Sequence, residues 1–179
     1  SVIGASLLWV GWFGFNAGSA LASNELASTA FVNTNTAAAA AGVAWMALDW
    51  MVNKVPTMLG VATGLVAGLV AVTPAAGYVT PLSALLIGML AGVACFFFVT
   101  KVKAWFGYDD SLDVFGVHGV GGIIGALATG LFATKSINPA GADGLFYGNA
   151  HQLWIQFLTT AVAMLFSAIM TFLLYRLVD

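Results

Sequence analysis

Long apolar stretches, separated by short polar or glycine- and proline-containing segments, dominate the chain. Most stretches are about 20 residues long, enough for a helix to cross roughly 30 Å of hydrocarbon at about 1.5 Å per residue. The pattern predicts an all-α membrane protein with one transmembrane domain over residues 1–179. Its six predicted membrane-spanning helices cover residues 1–21, 29–52, 57–73, 81–102, 111–133 and 150–177.

The composition supports a membrane protein and excludes several other classes. Of the 179 residues, 61% are hydrophobic and 7% are charged, whereas a soluble domain carries far more charge. A net charge of −2 leaves no basic face for nucleic acid. The single cysteine, Cys95, can form neither an intramolecular disulfide nor a thiolate metal site. The sequence contains no nucleophile with a base, phosphate loop or metal-ligand set, so we expect no enzyme, cofactor or metal.

The basic residues predict the orientation of the helices. Six spans place both ends of the chain on one side of the membrane, and the positive-inside rule makes that side cytoplasmic. Because the chain starts inside an apolar stretch, we expect it to be a piece of a longer protein. Four basic residues fall on the cytoplasmic side and one falls opposite: Lys54, Lys101, Lys103 and Arg176 against Lys135.

Two local patterns predict how segments pack. Gly60, Gly64 and Gly68 recur at every fourth position, which makes a smooth helix surface for close packing in the bundle. A seam between subunits is the alternative for this stripe. The long connection over residues 134–144 is rich in turn-forming residues and is expected to be an exposed loop.

The fifth span carries a histidine in the glycine-rich stretch Asp-Val-Phe-Gly-Val-His-Gly-Val-Gly-Gly. If the helix is regular, His118 lies about 10 Å into the bilayer from Ser111. A ring at that depth must face protein or a cavity, and desolvation favours its neutral form, which has one donor and one acceptor. We expect it to pass a proton or bind a small polar solute; a structural hydrogen-bonding role is the alternative. Asp113 is expected to cap the helix, with a role in an inner vestibule as the alternative.

The first span places two aromatic rings and a hydroxyl on one helical face. Trp12, Phe15 and Ser19 follow the spacing i, i+3 and i+7, towards the predicted outer surface. Such a face could attract a small cation, although an aromatic belt at the membrane interface has the same pattern. Asn33 and Asn35, in the next span, are expected to form hydrogen bonds between helices.

Two stretches resemble a known family. Trp-Phe-Gly-Phe-Asn-Ala-Gly-Ser, followed about a hundred residues later by the stretch around His118, is similar to the ammonium transporter (Amt/Mep/Rh) family, and the resemblance runs along the whole chain. It implies eleven helices, the first ten of them in two inverted halves, and a pore in each subunit of a homotrimer. The six spans here would be helices six to eleven. A missing N-terminal half would supply the rest of the pore.

The resemblance also implies roles for individual residues. Phe15 would be one of two stacked phenylalanines that gate the outer mouth, Ser19 would belong to the ammonium-recruitment site, and Trp12 would line the pore below the gate. His118 would be the second of two pore histidines, with Val114 on its inner side. Ammonium would lose a proton at the mouth, and ammonia would cross and be reprotonated inside. A signalling protein of the PII type could bind the cytoplasmic face.

Two other functions fit some of the residues. A haem-binding electron-transfer subunit would use His118 and His151 as ligands, although their predicted depths disagree. His151, at the start of the last span, is otherwise expected to be a solvated interfacial residue. A passive structural subunit of the membrane would need no transport at all.

Overall fold

The computed structural model describes residues 1–178 and contains six long helices and no strand over that range. The six predicted helices are therefore confirmed. Their bounds are α1 Val2–Gly18, α2 Glu25–Asn53, α3 Met58–Val72, α4 Pro81–Phe106, α5 Phe115–Phe132 and α6 Ala150–Val178.

Three helix ends differ most from the prediction, each for a local reason. Helix α2 begins at Glu25 because the side chain of Asn24 accepts a hydrogen bond from the Ala27 N–H, at 3.0 Å. Helix α4 continues to Phe106 and ends at Gly107, whose φ of 64° is left-handed. Helix α5 starts later than predicted because residues 111–113 form a turn.

Helices α4, α5 and α6 are long and apolar enough to cross a membrane by themselves. Helices α1 and α3 are apolar but have only 17 and 15 residues. Helix α2 is long, but buried polar residues interrupt it, among them Asn33, Thr34 and Asp49. It lies against α1, α3 and α4, so protein groups rather than lipid meet its polar side chains.

Small residues bring the central helices into close contact. A Cβ atom added at Gly68 would lie 2.4 Å from the Ala37 carbonyl oxygen, and one at Gly64 would lie 2.5 Å from the Trp45 Cβ. The stripe that includes Gly60 thus packs α3 against α2 within the bundle. It does not serve as a seam between subunits.

The amide of Asn33 ties α2 to the turn between α3 and α4. Its Nδ2 donates to the carbonyl oxygens of Ala76 and Val79, at 2.8 and 2.7 Å. Asn33 thus forms hydrogen bonds as predicted, but to the turn between two helices rather than to a helix. The prediction for Asn35 is wrong, because its side chain is exposed and makes no hydrogen bond within residues 1–178.

The connection between α5 and α6 is only partly exposed, contrary to the prediction. The Thr134 N–H donates to the Tyr78 carbonyl oxygen at 2.8 Å, which holds the connection against the turn that precedes α4. Thr134 and Asn138 are buried there. The folded-back segment contributes Asn138 to the surroundings of Ser19.

Candidate functional site

The ring of His118 is exposed in this chain and borders an open cleft rather than a packed core. This inner cleft, of about 270 Å³, lies between α1, α3 and the start of α5. The side chains that line it are mostly apolar, so the imidazole is one of its few polar groups. Its lining includes Gly4, Leu8, Thr63, Val66 and Leu112.

The beginning of α5 is not a regular α-helix. Residues Phe115–Gly119 form a π-helical turn that contains His118. The expected depth of about 10 Å from Ser111 assumes a regular helix, and that condition is not met, because residues 111–113 are not helical and His118 lies in the first turn. Single π turns inside helices occur frequently at functional sites.

Asp110, and not Asp113, caps α5. The Asp110 Oδ2 accepts a hydrogen bond from the Gly116 N–H at 3.1 Å. Burial alone would raise the pKa of Asp110, but backbone hydrogen bonds from Gly116, Phe115 and Val114 lower the pKa below its ordinary value. Asp113 is instead paired with Lys103, at 2.8 Å between Nζ and Oδ1. The predicted cap at Asp113 is wrong because its carboxylate binds Lys103 rather than a helix N–H.

The face of α1 that carries Trp12, Phe15 and Ser19 borders two more clefts. The Trp12 indole Nε1 donates to the Thr73 hydroxyl at 2.7 Å, which fixes the ring to the end of α3. Phe15 is 64% exposed and meets the Trp12 ring edge to face, with centroids 5.9 Å apart. The Ser19 hydroxyl donates to the Phe15 carbonyl oxygen at 2.6 Å. The three side chains do lie on one face, as the spacing predicts.

The three clefts follow one another along α1. The middle cleft, of about 520 Å³, is lined by Gly4, Leu7, Leu8, Gly11, Trp12 and Phe15. It shares Gly4 and Leu8 with the inner cleft, and Phe15 with the outer cleft. The outer cleft, of about 160 Å³, contains the polar side chains of Asn16, Ser19, Thr73 and Asn138. The three clefts thus succeed one another along α1 between Ser19 and His118.

A pattern in the sequence could have identified further residues that line the clefts along α1. Gly4 and Leu8 precede Trp12 by eight and four residues, so all three lie near one helical face. The polar neighbours Thr73 and Asn138 had no such pattern. Val114 is 54% exposed, but Leu112 and Val117 border the inner cleft in its place. A pore-lining role for Val114 stays a prediction.

The two histidines are too far apart to share one iron. His118 lies in the first turn of α5, whereas His151 is exposed in the first turn of α6, beyond the other end of α5. The remainder of α5 after His118 alone extends about 21 Å at about 1.5 Å per residue. This arrangement argues against haem held by both rings.

Known proteins resemble this chain in sequence and in fold. A family model described as Ammonium Transporter Family matches residues 1–179. An ammonium transporter of Bacillus subtilis (strain 168) is 54% identical over 177 residues, which are 99% of this chain and 44% of that protein. One from Aquifex aeolicus (strain VF5) is 51% identical over 169 residues, covering 94% and 40% of the two chains. The chain thus spans less than half the length of these curated relatives.

Solved structures agree with the sequence comparison. Saccharomyces cerevisiae Mep2 superposes with a TM-score of 0.90 at 36% identity, covering 95% of this chain and 39% of Mep2. A sensor Amt protein matches with a TM-score of 0.81 at 37% identity, covering 90% and 39%. The curated relatives are named as ammonium transporters and not as enzymes. The chain belongs to the ammonium transporter family.

Proposed function

We propose that this chain is the second half of a transporter that moves ammonia across the cytoplasmic membrane. Ammonium binds at the outer cleft and loses a proton, and ammonia passes along α1 to His118. The observation that carries the proposal is the line of three clefts, which joins the exposed Phe15 and Ser19 to His118. Membership of the ammonium transporter family supports ammonium as the substrate.

The outer cleft has the chemistry to attract a small cation. The exposed Phe15 ring offers its negative face to a cation. The Ser19 hydroxyl uses its hydrogen on the Phe15 carbonyl, so its oxygen remains available to accept a hydrogen bond from ammonium. Both residues lie at the C-terminal end of α1, where the helix dipole is negative.

The middle cleft explains why the proton should be lost. Its lining is almost entirely apolar, and a full charge in such surroundings within a membrane is costly. A neutral ammonia molecule avoids most of that cost. On the inner side, the imidazole of His118 can donate or accept a hydrogen bond and so meet the solute as it leaves.

The proposal also includes the assembly of the complete protein. The clefts are open along one side in this chain, and the N-terminal half of the transporter would close them. The chain is one transmembrane domain with both ends cytoplasmic, and the complete protein forms a homotrimer in the inner membrane. A PII-type protein binding at the cytoplasmic face is a further part of this proposal.

Reconstitution of the complete transporter into liposomes tests the function. We expect ammonia uptake well above that of protein-free vesicles, with membrane current recorded alongside. Phe15→Ala should change the uptake, whereas Phe13→Ala should not, because Phe13 stacks on Phe31 with centroids 4.0 Å apart, away from the clefts. Uptake equal to that of empty vesicles would contradict the proposed function.

A further inference from the structure

Two π-helical turns lie side by side at the inner end of the molecule. One, Phe98–Val102, interrupts α4, and the other, Phe115–Gly119, begins α5. A Cβ atom at Gly116 would lie 2.6 Å from the Val99 Cγ2, so the two turns are in direct contact. His118 belongs to the second turn and therefore depends on its geometry.

Lys103 connects the two helices just beside these turns. Its ammonium donates to the Asp113 Oδ1 at 2.8 Å and to the Asp110 carbonyl oxygen at 2.5 Å. Asp110 in turn caps Gly116 through its side chain. One cation of α4 thus holds both ends of the short turn that leads into α5.

The backbone at Asp113 is held in an unfavourable conformation. Its φ of 55° is left-handed, which non-glycine residues adopt at a cost and which persists only where the surroundings impose it. The Asp113 carbonyl oxygen accepts the Val117 N–H at 2.9 Å, directly before His118. Without Lys103, Asp113 would lose its side-chain partner and keep only its backbone hydrogen bonds to Asp110 and Val117.

The ion pair itself contributes little to stability. The side chains of Lys103 and Asp113 are 30% and 28% exposed, and partly exposed pairs of this kind stabilise a fold only weakly. The ion pair matters instead for the geometry of the neighbouring π turn. A π turn accommodates one more residue than an α turn, so its loss would rotate the side chains on either side relative to each other by about 100°.

We propose that Lys103 is a positioning residue for conduction, holding the first turn of α5 so that His118 faces the inner cleft. This rests on the proposed function, because the role of His118 in transport comes from there. Lys103 does not touch the solute. It acts through Asp113, Asp110 and the π turn.

The test compares three variants of the complete transporter in liposomes. Lys103→Met removes the cation, Lys103→Arg keeps it, and Lys101→Met is the control, since Lys101 is exposed on the same helix. We expect Lys103→Met to assemble, to keep the wild-type half-saturating ammonium concentration, and to lose about tenfold in maximal flux, since small misplacements of a functional group cost one to two orders of magnitude. Lys103→Arg should restore most of the flux, and Lys101→Met should match the wild type.

Several outcomes would overturn the assignment. They are wild-type flux in Lys103→Met, an equal loss in Lys101→Met, no recovery in Lys103→Arg, or a raised half-saturating concentration with unchanged maximal flux. Failure of Lys103→Met and Lys103→Arg to assemble would show that Lys103 only stabilises the fold. Absence of flux in the wild type would instead contradict the proposed function, and this assignment with it.

Discussion

The same residue type serves opposite purposes on two helices of this molecule. On α4, Gly88 lies against α2 so closely that a Cβ atom would be 2.3 Å from the Ala37 carbonyl oxygen. On α1, Gly4 and Gly11 have nothing within 4 Å of the same position, and both line the middle cleft. Small residues thus bring backbones together in the core of α2, α3 and α4, and leave an open path beside α1.

Polar side chains differ in the same way between the two regions. In the core, Asn33 is fully buried and directs both amide hydrogens to backbone carbonyls. Along the clefts, Ser19 and His118 are exposed. The amide hydrogens of Asn33 are therefore bound within the protein, while Ser19 and His118 on the cleft face are accessible to a solute.

The largest effect is expected from filling the packed interface. Gly88→Val would force a side chain into the Ala37 backbone and cost about 3 kcal/mol, near the upper end for overpacking. Assembly yield and the unfolding midpoint of the purified complete protein measure it. Gly11→Val, on the open face of α1, should assemble almost normally. Equal losses of assembly and stability in Gly88→Val and Gly11→Val would show that the two glycines do not serve different purposes.

A second substitution tests the open face itself. Leu8→Phe adds volume at the point that the inner and middle clefts share and should reduce ammonia flux severalfold without loss of assembly. Val10→Phe is the matched control, because Val10 is 68% exposed and lines neither cleft. Liposome flux distinguishes them. Unchanged flux in Leu8→Phe would mean that the solute does not pass there.

A smaller effect is expected at the anchor of Trp12. Thr73→Val keeps the shape of the side chain but removes the hydroxyl that accepts the indole N–H, a loss of about 1 kcal/mol. We expect a modest fall in flux as the ring and its neighbour Phe15 become less ordered, and recovery in Thr73→Ser. If Thr73→Ser behaved like Thr73→Val, the hydrogen bond would not be the reason.

The smallest effect concerns pH. The pKa of Asp110 is lowered in the folded protein, so its charged form stabilises the fold above the ordinary pKa of about 3.9, and this stabilisation is lost as the pH falls through the folded value. Unfolding midpoints from neutral pH down to about pH 3 should fall slightly more for the wild type than for Asp110→Asn. The same change of unfolding midpoint with pH in both proteins would show that the Asp110 carboxylate does not cap α5.

The sequence predicted most of the fold because apolar length determines membrane helices directly. All six helices and the shared face of Trp12, Phe15 and Ser19 could be read from spacing. The start of α5 could not, because a π turn and the left-handed Asp113 depend on contacts with Lys103, ten residues earlier on another helix. The burial of Asn138 was missed for the same reason, since it depends on a loop folding back over a distant turn.

The central claim is that the solute passes along α1 and leaves beside His118. The most direct test is ammonia flux through the complete transporter in liposomes, with membrane current recorded, for His118→Ala and for His151→Ala. The account predicts altered flux or ion selectivity in His118→Ala at normal assembly, and wild-type behaviour in His151→Ala, whose ring is exposed away from the clefts. Wild-type flux and selectivity in His118→Ala would contradict it.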